Sequence, residues 1–176
     1  MTELNLHGFA SESQRQLFKY WTNIRRGRVM PHRADLEPRH IKRLLPFICM
    51  YDVLREQNNG RPNFKFRARL VGTNIVDTVG KDFTGKIFCG TSPEAPAGLS
   101  GAEKVFADVV DTDKPVYGES FMDWPHKKHF RYSFLAMPLN VDRQTEHTDI
   151  ILLGLHFYSY AEEYTYVPDH LLPCQA

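Results

Sequence analysis

The feature of this sequence that most restricts its fold is the order of its apolar segments of strand length. Two such segments come first, a stretch with helical patterns follows, and three more segments complete the set. Short apolar segments that are joined by turn-forming links pair as antiparallel hairpins. The predicted strands span residues 47–54, 64–71, 116–122, 130–139 and 150–157. This order predicts an α+β fold, in which one five-stranded antiparallel sheet carries helices on one face.

The stretch between the two groups of strands is predicted to be a helical crossover. Thr73 opens a short helix, and Gly80 ends it, because glycine readily adopts the left-handed conformation of helix ends. A tight turn at residues 81–85 follows. A longer helix is then predicted at residues 102–110, with an apolar side formed by Val105, Phe106 and Val109. Positive φ is predicted at three turn glycines, which are Gly72, Gly80 and Gly85.

An amphipathic helix is predicted ahead of the sheet. Ser11 or Ser13 can cap its beginning, and Gly27 is placed to end it. Its apolar stripe recurs at i, i+3, i+4 and i+7 and consists of Leu17, Tyr20, Trp21 and Ile24. Burying one large aromatic side chain contributes on the order of 2–3 kcal/mol, so this stripe must be covered. We expect a homodimer through this helix. The alternative is a lid on the outer face of its own sheet, beside Gly154.

The segment between this helix and the sheet is predicted to contain a second, shorter helix. Asp35 is placed to cap it, Pro38 lies near its first turn, and Pro46 ends it. The opposite side is basic, and we interpret it as a solvated face; it carries Arg39, Lys42 and Arg43. The predicted organisation has three parts, an N-terminal helical extension, the sheet domain and a C-terminal tail, at residues 1–46, 47–160 and 161–176.

Composition and charge argue against several classes of function. The 22 Lys and Arg residues are balanced by 21 Asp and Glu residues, whereas nucleic-acid binding usually needs a clear basic excess. No apolar segment reaches the roughly 20 residues that span a bilayer, and the N-terminus lacks the pattern of a signal peptide. The cysteines, expected to be reduced, form no CxxC pair; they are Cys49, Cys89 and Cys174. We therefore expect a cytoplasmic protein that binds neither nucleic acid nor membrane.

Two stretches of the sequence resemble a bacterial PAS-like family of stand-alone PAS domain proteins. The run RARLVGTNIVDTVGKDFTG, residues 67–85, is similar to the second strand, first helix and following turn of that family. The pattern W-x-x-x-R-x-G-x-x-M-P-x-R-x-D-x-x-P precedes the sheet, at positions Trp21, Arg25, Gly27, Met30, Pro31, Arg33, Asp35 and Pro38. The resemblance extends from about Tyr20 to Phe157, which is most of the chain.

The resemblance implies a PAS fold and a sensing or interaction role in signal transduction. A module of this kind is expected to bind a small ligand or a signalling protein partner such as a kinase, and not to be an enzyme. The resemblance names no ligand, and it transfers no functional residue, because the matching positions look structural. A ligand-free scaffold that recognises a protein through its sheet edge or its N-terminal helix is an alternative.

A ligand pocket is predicted on the concave face of the curved sheet, beneath the helices. Its predicted lining consists of Phe66, Ile75, Val79, Phe106, Tyr132, Phe134 and Leu153. A core filled by these side chains, with no ligand, is the alternative. No cofactor is expected. Cys89 does not lie in the N-C-R-F-L-Q type helix of photoactive flavin domains, and the helix at residues 102–110 offers no histidine to haem.

An enzyme built on a similarly curved, cone-shaped α+β sheet is another alternative. It would need an acid–base pair in the cavity, and the candidates are Asp123 with His126 or His129. The i, i+3 spacing of the two histidines suits a shared metal only on a helix. Pro125 and the strand that follows indicate a hairpin loop instead. We therefore expect no metal here, and no nucleophile motif accompanies the pair.

Overall fold

The helices and strands follow the predicted order. The computed structural model describes residues 8–58, 61–88, 101–124, 127–142, 144 and 146–158. The helices are α1 (Glu12–Arg25), α2 (Thr73–Val79) and α3 (Ala102–Thr112). The strands are β1 (Ile48–Asn58), β2 (Arg61–Val71), β3 (Ile87–Phe88), β4 (Val116–Trp124), β5 (Lys127–Leu139) and β6 (Ile150–Phe157). Short 3-10 helices join α1 to β1, at Arg33–Asp35, Pro38–Ile41 and Leu45–Phe47.

The described part of the chain forms one antiparallel sheet of six strands, in the order β3-β2-β1-β6-β5-β4. The α+β architecture is confirmed, but the strand count is six and not five. The additional strand is β3, whose two residues pair with Phe66 and Arg67 of β2. Two residues are too few to show the alternation that marks a strand in a sequence. Because the crossover runs from β3 at one edge to β4 at the other, β1 and β6 lie side by side in the centre.

A β-bulge between β1 and β2 changes which side chains of β2 face the core. Met50 lies opposite Leu70, but the next residue, Tyr51, lies opposite Ala68, which leaves one extra residue on β2. Strict alternation predicts that Leu70 shares the inner face with Phe66 and Ala68. Those two side chains are buried, but Leu70 is 37% exposed. The bulge therefore turns the end of the strand over and corrects the predicted face.

α2 and α3 cover the inner face of the sheet, where aromatic and aliphatic side chains form one continuous buried layer. Gly80 and Gly85 have positive φ as predicted, at the end of α2 and in the turn after it. Gly72 does not, since its φ is −67°. A Cβ at this position would lie 2.4 Å from the Pro46 carbonyl oxygen. Glycine is therefore required at residue 72 by a close approach of two backbone segments.

α1 covers the outer face of the same sheet. Ser11 caps the helix by accepting a hydrogen bond from the Gln14 N–H, which confirms one of the two predicted caps. Leu17 and Trp21 are each 1% exposed. The Trp21 indole N–H donates to the Pro138 carbonyl oxygen of β5 at 2.9 Å. These contacts lie within one chain. They are the contacts expected under the alternative to a dimer, in which α1 is a lid on the outer face of its own sheet.

The remaining residues of the predicted stripe, Tyr20 and Ile24, are only partly buried. A second copy of the chain is therefore not needed to cover Leu17 and Trp21. The homodimer through α1 stays a prediction.

The connection from α1 to the sheet contains three 3-10 helices where one short helix was predicted. Asp35 was predicted to cap the helix that contains Pro38, but it is the last residue of the first 3-10 helix. The residue at the cap position before Pro38 is Glu37. The Asp35 carboxylate instead accepts a hydrogen bond from the His32 N–H and pairs with Arg28. Proline has no N–H to donate, so the prolines in the second and third helices keep the segment in short pieces. Within the described residues, no helix is both long and apolar enough to cross a membrane.

Candidate ligand-binding cavity

A cavity of about 100 Å³ lies between α3 and the inner faces of β4, β5 and β6. Helix α3 supplies one wall, because its apolar side packs onto the sheet. Inward-facing residues of the three strands supply the other wall. The lining residues in the described part of the chain are Gly101, Ala102, Val105, Phe106, Ser120, Tyr132, Phe134, Leu153 and Leu155.

The structure brings together four residues of the predicted pocket, which are Phe106, Tyr132, Phe134 and Leu153. The other three lie in the same buried layer but away from the cavity. Phe66 and Ile75 are each 1% exposed, and Val79 packs against the layer from the partly buried end of α2. The ring of Phe66 fills the space beside Phe106, with ring centroids 5.2 Å apart. The predicted pocket is thus filled at its α2 end and open at its α3 end.

Two lining residues that sequence reasoning missed add to the strand wall, Ser120 and Leu155. Leu155 lies two residues beyond Leu153 on β6, so strict alternation was a signal that could have identified it. No pattern in the sequence indicates that Ser120 lines the cavity, because its position depends on the strand register, which sets it opposite Tyr132 of β5. Cross-strand register cannot be read from one strand alone.

The polar groups of the cavity wall are the hydroxyls of Ser120 and Tyr132, which are hydrogen-bonded to each other. Burial raises the pKa of the Tyr132 phenol, and the hydrogen bond from Ser120 opposes that shift only in part. Tyr132 is therefore a neutral hydroxyl at physiological pH, able both to donate and to accept. The cavity combines an apolar lining with a pair of convergent hydroxyls, the usual composition of a small-molecule site.

The ring of Phe134 lies over a glycine in the neighbouring strand. A Cβ on Gly118 would lie 2.6 Å from Cζ of Phe134, which is closer than unbonded carbon atoms approach. Gly118 therefore leaves the room against β4 that the outer end of the Phe134 ring occupies. An alanine at residue 118 would displace the ring towards the open space beside it, which is the cavity.

The deeper wall behind Phe106 contains a tyrosine and a cysteine that are fully buried. The rings of Tyr51 and Phe106 lie 4.8 Å apart, and the Tyr51 hydroxyl is hydrogen-bonded to Cys49. Burial raises the pKa of the Cys49 thiol to about 12. The thiol is therefore protonated and unreactive in the folded chain. Cys89, which was not expected to act as a flavin nucleophile, lies outside the described residues.

Strand β6 connects the cavity to the outer layer. Leu153 and Leu155 face the cavity, and Gly154 between them faces α1. A Cβ on Gly154 would lie 2.7 Å from Cδ2 of Leu17, so the helix is seated directly on the strand. Gln14, buried in α1, donates to the Gly154 carbonyl oxygen at 3.3 Å. It also accepts a hydrogen bond from the Ser133 hydroxyl at 3.0 Å.

The residues of the alternative acid–base pair are not positioned in this site. The side chains of Asp123 and His129, and residue His126 as a whole, lie outside the described part of the chain. The predicted hairpin loop is shorter than expected, since β5 begins at Lys127 and includes His129. Among the residues that the structure describes, no group of three or more His, Cys, Asp or Glu residues could hold a metal ion.

The fold and the cavity define an α+β domain of the type that the sequence resemblance implied. Residues 9–156 match the PAS domain family, and the chain belongs to that family. A PAS domain is a sensory or interaction module in signal transduction. The match begins in the predicted N-terminal extension, so α1 and the 3-10 helices are part of what the family shares.

Ten chains among the solved structures also match this chain. One is the crystal structure of the Rhodobacter sphaeroides LOV protein, which is 10% identical in sequence, with a TM-score of 0.45. The alignment covers 74% of this chain and 74% of that one. No protein in the curated set matches the sequence.

Proposed function

We propose that this PAS domain senses a small molecule, which binds in the cavity under α3. The observation that carries the proposal is the cavity itself, an apolar space of about 100 Å³ with two hydroxyls on its wall. The described lining contains no carboxylate or imidazole, which favours binding over the acid–base chemistry of an enzyme.

The proposed output of the module is a change in its outer layer. An occupant that presses on Leu153 and Leu155 also presses on the strand that carries Gly154. The helix is seated on that residue through Leu17 and Gln14. The cavity and the helix therefore contact opposite faces of one strand. We propose that a signalling protein in the cytoplasm, such as a kinase, receives the signal.

The test of the proposed binding site is a methyl-NMR titration of the whole chain with small probes that are neutral, cationic and anionic. Binding of any of them should shift the methyl signals of Leu153 and Leu155 in a saturable manner. Gly118→Ala should weaken this binding by about tenfold, corresponding to about 1.4 kcal/mol of lost contact, because it pushes Phe134 into the cavity. Gly80→Ala is the control, since its new methyl group at the end of α2 meets no neighbour within 4 Å. If no probe shifts the two leucines, the cavity is not a binding site.

We also propose that the working form is a homodimer in which α1 contacts a second copy. Tyr20 and Ile24 support this proposal, because the sheet of the same chain buries them only in part. Ile24→Glu should convert a dimer into a folded monomer by light scattering. Lys19→Glu, an exposed position of the same helix, is the control and should leave the dimer intact. A wild-type chain that is monomeric at high concentration would contradict the proposal.

A further inference from the structure

A basic groove lies on the surface between α1 and the second 3-10 helix, Pro38–Ile41. Gln16 and Tyr20 of α1 form one wall, and residues 39–44 form the other. The volume of the groove is about 360 Å³, and it shares no described lining residue with the cavity under α3. The basic side of the segment between α1 and the sheet therefore borders a concave surface.

The wall that carries the cations is fixed to the body of the fold. Ile41 and Leu44 are buried among the apolar side chains of the outer layer. The Tyr20 hydroxyl accepts a hydrogen bond from the Glu37 N–H at 2.8 Å and donates one to the Glu37 carbonyl oxygen at 3.4 Å. These contacts hold the backbone of the wall beside α1, while its cationic side chains stay exposed. The positive charges of the groove thus have a fixed place without being buried.

The positive charge of the groove is not neutralised by the residues that the structure describes. Lys42 and Arg43 are exposed, and neither has a carboxylate partner among those residues. Arg39 does have one, since it pairs with Glu37 at 2.5 Å. Three cations of the sheet are also paired, in Arg55–Asp149, Lys65–Glu56 and Arg67–Asp52. Two positive charges of the groove therefore remain for a partner.

The shape and the charge of the groove favour an acidic protein segment among the anionic partners. One exposed ion pair contributes little to affinity, so a small anion gains little from two exposed cations. A bilayer is flat, and polybasic membrane sites carry about four to eight Lys or Arg residues. Nucleic-acid binding usually needs a clear basic excess, and the 22 cationic residues here are balanced by 21 acidic ones. An extended peptide, in contrast, enters a groove and presents several carboxylates along its length.

A second copy of this chain is a poorer match for the groove. Most homodimers have two-fold symmetry, so a dimer centred on the groove brings the same patch of both copies together. Lys42 and Arg43 would then face like charges, which is unfavourable.

We infer that the groove is the docking surface for an acidic segment of a partner protein, two of whose carboxylates pair with Lys42 and Arg43. An empty cavity would leave this surface in place, so it goes beyond the proposed function. Because α1 forms the other wall of the groove and is seated on Gly154, a docked segment contacts the helix that we propose to carry the signal.

The experiment is an amide NMR titration of the whole chain with a capped, glutamate-rich octapeptide. The amide signals of residues 39–44 should shift in a saturable manner. The same peptide with glutamine in place of glutamate should bind about tenfold more weakly, because it makes no ion pair. Raising the salt from about 0.1 M to about 1 M should also weaken the acidic peptide, because the Debye length falls from about 10 Å to about 3 Å.

The variant is the double substitution Lys42→Glu with Arg43→Glu, which replaces attraction by repulsion at the two exposed cations. It should weaken binding of the acidic peptide by at least about tenfold. The matched control is Lys81→Glu with Lys104→Glu, at two exposed positions outside the groove. It changes the net charge by the same amount and should change the affinity by less than about twofold. Unchanged dispersion of the amide spectrum shows that each variant is folded.

Each other outcome overturns the inference. Equal losses in the two double variants show that the peptide responds to net charge and not to the groove. Equal binding of the two peptides shows that the groove does not recognise carboxylates. If the variant at Lys42 and Arg43 converts a dimer into a monomer by light scattering, the occupant is a second copy. If the wild type, but not this variant, sediments with vesicles that contain phosphatidylserine, the occupant is a membrane. If neither peptide produces saturable shifts, the groove is not a docking surface, and the methyl-NMR test of the cavity is unaffected.

Discussion

The burial of Trp21 under the outer face of the sheet makes a quantitative prediction about what α1 does. Trp21→Ala should lower the free energy of unfolding by about 3–5 kcal/mol, the usual cost of truncating a buried tryptophan. The side chain is 1% exposed, and its ring stacks on Phe18 with centroids 6.2 Å apart. Its truncation leaves a cavity and removes the N–H that bonds the Pro138 carbonyl oxygen. The lost hydrogen bond accounts for about 1 kcal/mol of the total.

Urea unfolding followed by circular dichroism measures this loss, because the tryptophan fluorescence itself changes in the variant. A loss of that size is a large part of the 5–15 kcal/mol that stabilises a typical domain. It should lower the Tm by about 6–20 °C in a chain of this length. Ile24→Ala is the matched control, one turn further along the same stripe. Because Ile24 is only partly buried, this substitution should cost about 1–2 kcal/mol.

A different result would refute the description of α1 as a lid on its own sheet. The decisive observation is a loss below about 1 kcal/mol for Trp21→Ala, accompanied by conversion of a dimer into a monomer. The stripe would then make its main contact with a second copy of the chain.

Three further predictions concern the backbone contact at Gly72 and the thiol of Cys49. Gly72→Ala should lower the free energy of unfolding in urea by about 3 kcal/mol, because its Cβ would lie 2.4 Å from a carbonyl oxygen. The control is Gly80→Ala, whose Cβ meets no neighbour but whose φ is +77°, and it should cost about 1–2 kcal/mol. Equal losses for the two variants would contradict the packing argument. Iodoacetamide at mildly alkaline pH should alkylate Cys49 only in urea, since burial raises the pKa of its thiol to about 12; peptide mapping that finds rapid labelling in native buffer would disprove this. The folded thiol keeps its proton between its ordinary pKa of 9.0 and about 12, while the unfolded thiol loses it, so the free energy of unfolding should fall as pH rises through that window. In the Cys49→Ala variant, the free energy of unfolding should fall less steeply with pH than in the wild type. Parallel curves for the two proteins would exclude the thiol as a cause.

The elements that could be predicted from the sequence are those whose pattern is complete within one segment. β6 is a mostly apolar segment of strand length, and it was predicted at its observed bounds, Ile150–Phe157. The stripe of α1 repeats at helical spacing, and its residues Leu17 and Trp21 are buried as that pattern requires. Such signals need no knowledge of the partner, because each face of the element is defined by the element itself.

The features that could not be predicted depend on which distant residues meet. The buried side chain of Gln14 would be costly in an apolar layer without partners, and its partners Ser133 and Gly154 lie 119 and 140 residues away in sequence. The place of Ser120 in the cavity depends in the same way on the pairing of β4 with β5. Four of the predicted pocket residues line the cavity, whereas Phe66 and Ile75 pack in the buried layer beside it, and a ligand pocket at these residues stays a prediction.

The measurement that tests the central claim most directly is the location of a bound probe by intermolecular nuclear Overhauser effects. With cyclopentanone and the wild-type chain, we predict contacts from the probe to the methyl groups of Leu153 and Leu155 and to the ring of Phe106. These residues lie on different walls of one cavity, so a molecule that contacts all of them must be inside it. Contacts only to exposed apolar residues, such as Phe121 at 64% exposure or Ile87 at 43%, would place the probe on the surface and contradict the claim that the cavity is the binding site.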